Sequence, residues 1–142
     1  MTKSTLLILT ATTTMSFLFS YFMELTLGNA EQFLGVACVV LLDGFFGIAS
    51  GIKREGFKTF KALSVLRTLA VWWVILGAIL AVEQGFTGSG WMSETIIIPF
   101  LVFQIMSALK NASMAGFIKV DLLNQILDKI DNHKGIRDGK RN

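Results

Sequence analysis

Residues 33–58 read FLGVACVVLLDGFFGIASGIKREGFK. From Phe33 to Ile52 one charge occurs, Asp43, and then Lys53, Arg54, Glu55 and Lys58 follow in quick succession. A helix needs about 20 apolar residues to cross a hydrocarbon layer of about 30 Å. The stretch has that length and ends on a basic edge. An acid at the centre of such a helix costs roughly 2.5–3.5 kcal/mol, while each Leu, Ile, Val or Phe favours insertion by roughly 0.3–0.6 kcal/mol. Those four residue types dominate the stretch, so their sum outweighs the acid. The carboxyl must then face protein or water rather than lipid.

Three more apolar stretches accompany it, at about 5–25, 62–82 and 91–109. The last is short, contains Pro99, and is extended by Trp91 and Met92. The whole chain of 142 residues is 53% hydrophobic and 16% charged, against about 25% charged in an ordinary soluble domain. Its 12 Phe and 3 Trp exclude a disordered chain. Cys38 has no second cysteine to pair with. One cysteine and one histidine, His133, do not make a structural zinc site.

Charge sorting decides between a soluble bundle and a membrane protein. Lys3 precedes the first apolar stretch. Lys53, Arg54, Lys58, Lys61 and Arg67 lie at the second connection, and the other basic residues follow the fourth stretch, from Lys110 onward. The first and third connections carry Glu31 and Glu83, with Glu24 and Glu94 at their edges, and no Lys or Arg. Basic residues beside membrane spans stay in the cytoplasm. Four spans with both termini cytoplasmic obey that rule throughout, whereas a soluble bundle has no reason to sort its charges so. The expected fold is an all-α integral membrane protein with four spans. The first stretch has features of a signal peptide. It is nevertheless long and interrupted by Thr12, Thr13 and Thr14, and is expected to be a retained helix.

Two further helices are expected outside the spans. Phe57, Phe60, Leu63 and Leu66 recur every three residues with Lys58 and Lys61 between them, the composition of a basic interfacial helix. Near the C-terminus Leu123, Ile126, Leu127 and Ile130 follow helical spacing, with Asp121 placed to cap an amphipathic helix of about three turns. Residues 1–109 thus form a transmembrane domain, and 110–142 a cytoplasmic helix with a basic tail.

No catalytic constellation is legible: His133 lies in a polar tail and Cys38 in an apolar helix. No cofactor or metal is expected, and cations beside membrane spans need no nucleic acid to explain them. The informative residues are polar or small groups within the spans. Asp43 is a candidate for lining a pore, for pairing subunits, or for a protonated or hydrogen-bonded structural acid. Gly44, Gly47 and Gly51 share its helix, and Gly47-x-x-x-Gly51 permits close helix approach, in this chain or with another copy. Thr10, Thr13, Ser16 and Ser20 form a hydroxyl stripe on the first span, suited to packing, to lining a lumen, or to bonding its own carbonyls. Gln104 needs a polar partner in hydrocarbon. Lys53, Arg54, Lys58, Lys61 and Arg67 are candidates for contact with lipid headgroups.

Two patches carry a family resemblance. The first is Asp43-Gly44-Phe45-Phe46-Gly47-Ile48, followed within ten residues by Lys53-Arg54-Glu55-Gly56-Phe57-Lys58; the second is QIMSALKNASMAG at 104–116. Together they resemble the phage-lysis and toxin-secretion holins (bacteriophage holin family 4). In that family an Asp-x-x-x-Gly helix end leads into a Lys-rich loop, and a late acid, Ser and Asn precede a Gly and a closing amphipathic helix. Here Gln104 stands at the late acidic position, and Phe117-Ile118-Lys119 stands where the family has a Pro. The resemblance implies an inner-membrane protein that associates with copies of itself and opens lesions for a cell-wall hydrolase or a toxin. The bilayer and further copies are then the direct partners, and a peptidoglycan hydrolase an indirect one. Alternatively, the chain is a non-permeabilising scaffold or small channel subunit that docks a partner through its C-terminal helix.

Overall fold

A computed structural model describes residues 2–56 and 59–138, with Glu55 and 134–138 as backbone alone. Among these residues every regular element is a helix: α1 (Lys3–Gly28), α2 (Ala30–Glu55), α3 (Thr59–Gly85), α4 (Met92–Ala115) and α5 (Val120–Asp138). The first four are long and apolar enough to cross a membrane. Each outruns its apolar stretch, because helical hydrogen bonding continues past the point where side chains turn polar. Pro99 lies inside α4 without ending it.

The expected interfacial helix is not a separate element. Phe60, Leu63 and Leu66 are exposed on the first turns of α3, which runs unbroken to Gly85, while Phe57 and Lys58 lie outside the described residues. The chain changes direction at Gly56, whose φ of +82° suits a residue without a Cβ. The C-terminal helix has 19 residues rather than about three turns, and Asp121 sits within its first turn. The division expected at 109/110 falls inside α4. That helix closes instead at Gly116 in the left-handed region, with Gly116 N–H donating to Ser113 O and Phe117 N–H to Ala112 O.

The packed unit is α2, α3 and α4. Parallel α2 and α4 lie side by side: Gln32 and Gly35 border Ser93 and Ile97 at one end, and Asp43 and Gly47 reach Asn111 further on. Small buried residues, Ala37, Ala108 and Ala112, allow the close approach. α3 runs antiparallel beside them. A Cβ on Gly44 would collide with the Val65 methyls of α3, so the backbone of α2 is as close there as only glycine permits.

The bundle has two unlike halves. At the end carrying Glu31, Glu83 and Glu94, the interior is apolar: Phe33, Val36, Val40, Leu76, Ile79, Leu80, Ile97 and Phe100 form one cluster. Trp72 stacks on Phe100 with ring centroids 3.5 Å apart, and Trp73 meets Phe33 at 5.1 Å. Both tryptophans lie midway along α3; Trp91 is exposed beside α4. The Glu83 carboxylate accepts the Ser93 N–H at 2.6 Å and so satisfies one of the free donors opening α4. At the other end, carrying Lys53, Arg54 and Lys61, the helices border open cavities lined in part by polar side chains.

α1 stands largely outside this unit. Asn29 alone separates it from α2. It meets the bundle through its last turns, where Leu25 is buried and Phe22 covers Gly77. None of its apolar window is buried.

Candidate functional site

The spans place one carboxyl in their apolar interior, and the fold gives it a neighbour. Asp43 lies midway along α2, half-buried, and its Oδ1 accepts a hydrogen bond from Asn111 Nδ2 of α4 at 3.0 Å. The parallel register of α2 and α4 aligns them, and Gly47, one turn beyond Asp43, lies beside the amide: a Cβ there would be in ordinary contact, 3.5 Å from Asn111 Nδ2. The amide satisfies part of the carboxyl without cancelling charge.

Gln104 joins the same group. It faces a cavity of about 130 Å³ that Asp43 and Gly44 of α2 and Ser64, Val65 and Thr68 of α3 also line. That volume holds about four waters, at roughly 30 Å³ each. A wider cavity of about 430 Å³ shares Asp43, Gly44, Ser64 and Val65 with it and is also lined by Arg54, Lys61 and Met114. No side-chain nitrogen or oxygen buried among the described residues lacks a hydrogen-bond partner.

The other expected site residues fall elsewhere. Gly44 and Gly51 face α3, and Gly47 faces α4; a Cβ on Gly51 would lie 2.7 Å from Lys61 Nζ. All three are thus occupied within one chain. Thr10, Thr13, Ser16 and Ser20 are exposed on α1, away from Asp43. Thr10 donates to Leu6 O and Leu7 O, and Thr13 to Leu9 O and Thr10 O, so both hydroxyls are bonded to their own helix. Lys53 directs Nζ to Ala115 O at 3.4 Å, at the end of α4 where the helix dipole favours a cation. Arg54 and Lys61 border the wide cavity, and Arg67 borders a shallow one with Ser64, Thr68 and Trp72. Lys58 lies outside the described residues.

Ser64 and Thr68 are cluster members that hydropathy and motif patterns did not single out, and Asn111 stood out only as part of the 104–116 patch and not as the partner of Asp43. A signal for them exists: Ser64 and Thr68 are four residues apart, Gln104 and Asn111 seven, spacings that put each pair on one helix face. Among the described residues no group of three His, Cys, Asp or Glu side chains converges to hold a metal ion. Comparison with protein-family models, with curated proteins and with solved structures finds no match to the chain.

Proposed function

We propose that the chain is a holin-like protein of the bacterial inner membrane. It crosses the bilayer four times with both termini in the cytoplasm, associates with copies of itself, and permeabilises the membrane for a cell-wall hydrolase or a toxin. The observation that carries this reading is the polar cluster of Asp43, Asn111 and Gln104 inside an otherwise apolar set of long helices. Polar groups at that depth are expensive and call for a task beyond packing. The charge sorting between the two ends supports the orientation. α1, uncovered along most of its length, offers the lipid-facing surface on which further copies assemble. The resemblance of the 43–58 and 104–116 patches to holins supports the permeabilising activity over a passive one.

Induced expression with a potential-sensitive dye tests it. The expected result is an abrupt loss of membrane potential and arrest of growth. A scaffold or docking subunit would be tolerated at equal expression, and a potential that holds steady would overturn the proposal.

Insertion also bears on α5. Lys129, Ile130 and His133 share a cavity with Ile98, Pro99 and Val102 of α4. Hydrocarbon at the level of Pro99 disfavours a lysine there by roughly 2.5–3.5 kcal/mol. On insertion α5 is expected to turn about Gly116 and lie in the headgroup layer, apolar face inward. Spin labels at Ile98 and Ile130 should move apart by more than about 10 Å between detergent and bilayer, a swing that one α5 length of about 28 Å readily allows. An unchanged distance would contradict this.

A further inference from the structure

The basic end of the bundle sorts its cations. Lys53 is occupied at the end of α4, where its Nζ reaches Ala115 O. Arg54 and Lys61 line an open cavity between α2 and α3, Arg67 borders a second one on α3, and Ser64 is a wall of both.

Helix direction brings these three cations toward one another. Cα–Cβ bonds tilt toward the N-terminus of a helix. The basic end is the C-terminal end of α2 and the N-terminal end of α3. Arg54 therefore leans back toward Gly51, and Arg67 leans toward Ser64 and Lys61. Gly51 completes the convergence. Because it has no side chain, Lys61 comes so near α2 that a Cβ on Gly51 would lie 2.7 Å from Lys61 Nζ. Arg54 follows Gly51 by three residues, on the same face of α2.

The charges do not cancel. Asp43 lines the cavity of Arg54 and Lys61, but it stands eight residues before Gly51, about 12 Å by helical rise, with its Oδ1 on Asn111. Even with Glu55, next to Arg54 in sequence, three cations meet two carboxylates. One positive charge remains, the charge that a single phosphodiester balances. The surroundings suit a lipid. Phe60 and Val71 are exposed beside the cations, and Trp72 lies deeper along α3. Arg67 is eight residues into α3, about 12 Å by rise, a depth from which a long side chain snorkels to the headgroups. Basic pockets between spans at the cytoplasmic side bind anionic headgroups. A choline or ethanolamine headgroup would add a fourth cation to the three.

We propose that this end of the bundle holds one anionic phospholipid, its phosphodiester among Arg54, Lys61 and Arg67 and an acyl chain along Val71 and Trp72. The proposal rests on insertion with the basic end at the headgroups and not on permeabilisation. Failure of the dye experiment would leave it standing, and its own failure would leave that experiment unaffected.

Trp73→Phe/Trp91→Phe leaves Trp72 as the reporter. The full chain is placed in phosphatidylcholine nanodiscs with a minor share of acyl-brominated phosphatidylglycerol or, in parallel, of acyl-brominated phosphatidylcholine. Quenching of Trp72 is expected to be severalfold stronger with the phosphatidylglycerol. Arg54→Gln/Lys61→Gln/Arg67→Gln should make the two lipids equal, with helicity unchanged by circular dichroism. Lys3→Gln/Lys110→Gln/Lys119→Gln removes the same charge from outside both cavities and should keep the preference. Equal quenching before any cation is removed, or equal loss in both triple variants, would overturn the site. Inorganic phosphate is expected to act no more strongly than chloride at the same ionic strength. If phosphate alone erased the preference, the ligand would be the free ion, and the lipid assignment would be overturned. Melting of the chain with all three tryptophans gives a second readout. Phosphatidylglycerol should raise the melting temperature of the unsubstituted chain and of the Lys3/Lys110/Lys119 variant but not of the Arg54/Lys61/Arg67 variant, and a rise shared by all three would overturn the site.

Discussion

Gly44→Leu is expected to break the α2–α3 contact and to lower the stability of the bundle by about 3 kcal/mol, the upper end of the usual cost of overpacking. The reason is local. Even a methyl at position 44 meets both Val65 methyls and lies 3.0 Å from the Val65 Cβ, which a rotamer change does not move. The backbones of α2 and α3 must then separate. Gly44→Ala should show a smaller loss, within about 1–3 kcal/mol, and adding Val65→Ala should recover part of it. Gly35→Ala, where nothing lies within 4 Å of the added atom, is the control and should be neutral or slightly stabilising. Thermal melting of the purified protein in detergent reads all four; a Gly44→Leu protein that melts like the unsubstituted chain would contradict the packing described.

Asn111→Leu is expected to cost more than Asp43→Leu. Removing the amide leaves a carboxylate on α2 that has lost its partner, a penalty of about 1–3 kcal/mol. Removing the acid leaves a neutral amide, whose unmet donor costs less than an unmet charge. The double variant Asp43→Leu/Asn111→Leu should therefore be more stable than Asn111→Leu alone, because an apolar pair replaces a half-satisfied polar one. Hydrogen bonds between helices in a bilayer are worth about 0.6 kcal/mol on average and rarely above 1.7 kcal/mol, so the coupling in the cycle should fall in that range. Melting in nanodiscs measures it, and Asp43→Leu proving the costlier single change would reverse the assignment of roles.

The amount of this legible in the sequence differed by feature. The four long helices were legible because each carries a long apolar run with at most one charge, and hydropathy reads such runs directly. Their ends were not, since hydropathy marks where side chains turn polar and the backbone of α4 continues to Ala115 regardless. The three-residue recurrence of Phe60, Leu63 and Leu66 suggested an interfacial helix. Nothing between Thr59 and Gly85 interrupts helical bonding, however, and the turn belongs to Gly56. Asp43 stood out as a buried acid, but its partner did not. Pairing it with Asn111 requires knowing that α2 and α4 run parallel in one register, a property of packing and not of either helix alone. The hydroxyl stripe of α1 was ambiguous for a physical reason: spacings of three and four that align side chains on a face are also those that let Thr10 and Thr13 reach their own carbonyls.

The claim on which the rest depends is that the basic end of the bundle stays in the cytoplasm while the acidic end faces outward across a bilayer. Impermeant maleimide applied to spheroplasts that express Ser89→Cys or Lys119→Cys, each with Cys38→Ala, at a low level and while the membrane potential is still held, measures this directly. The account predicts rapid labelling of Ser89→Cys from outside and labelling of Lys119→Cys after the membrane is opened. Labelling in the reverse order, or recovery of the protein in the soluble fraction without detergent, would contradict it.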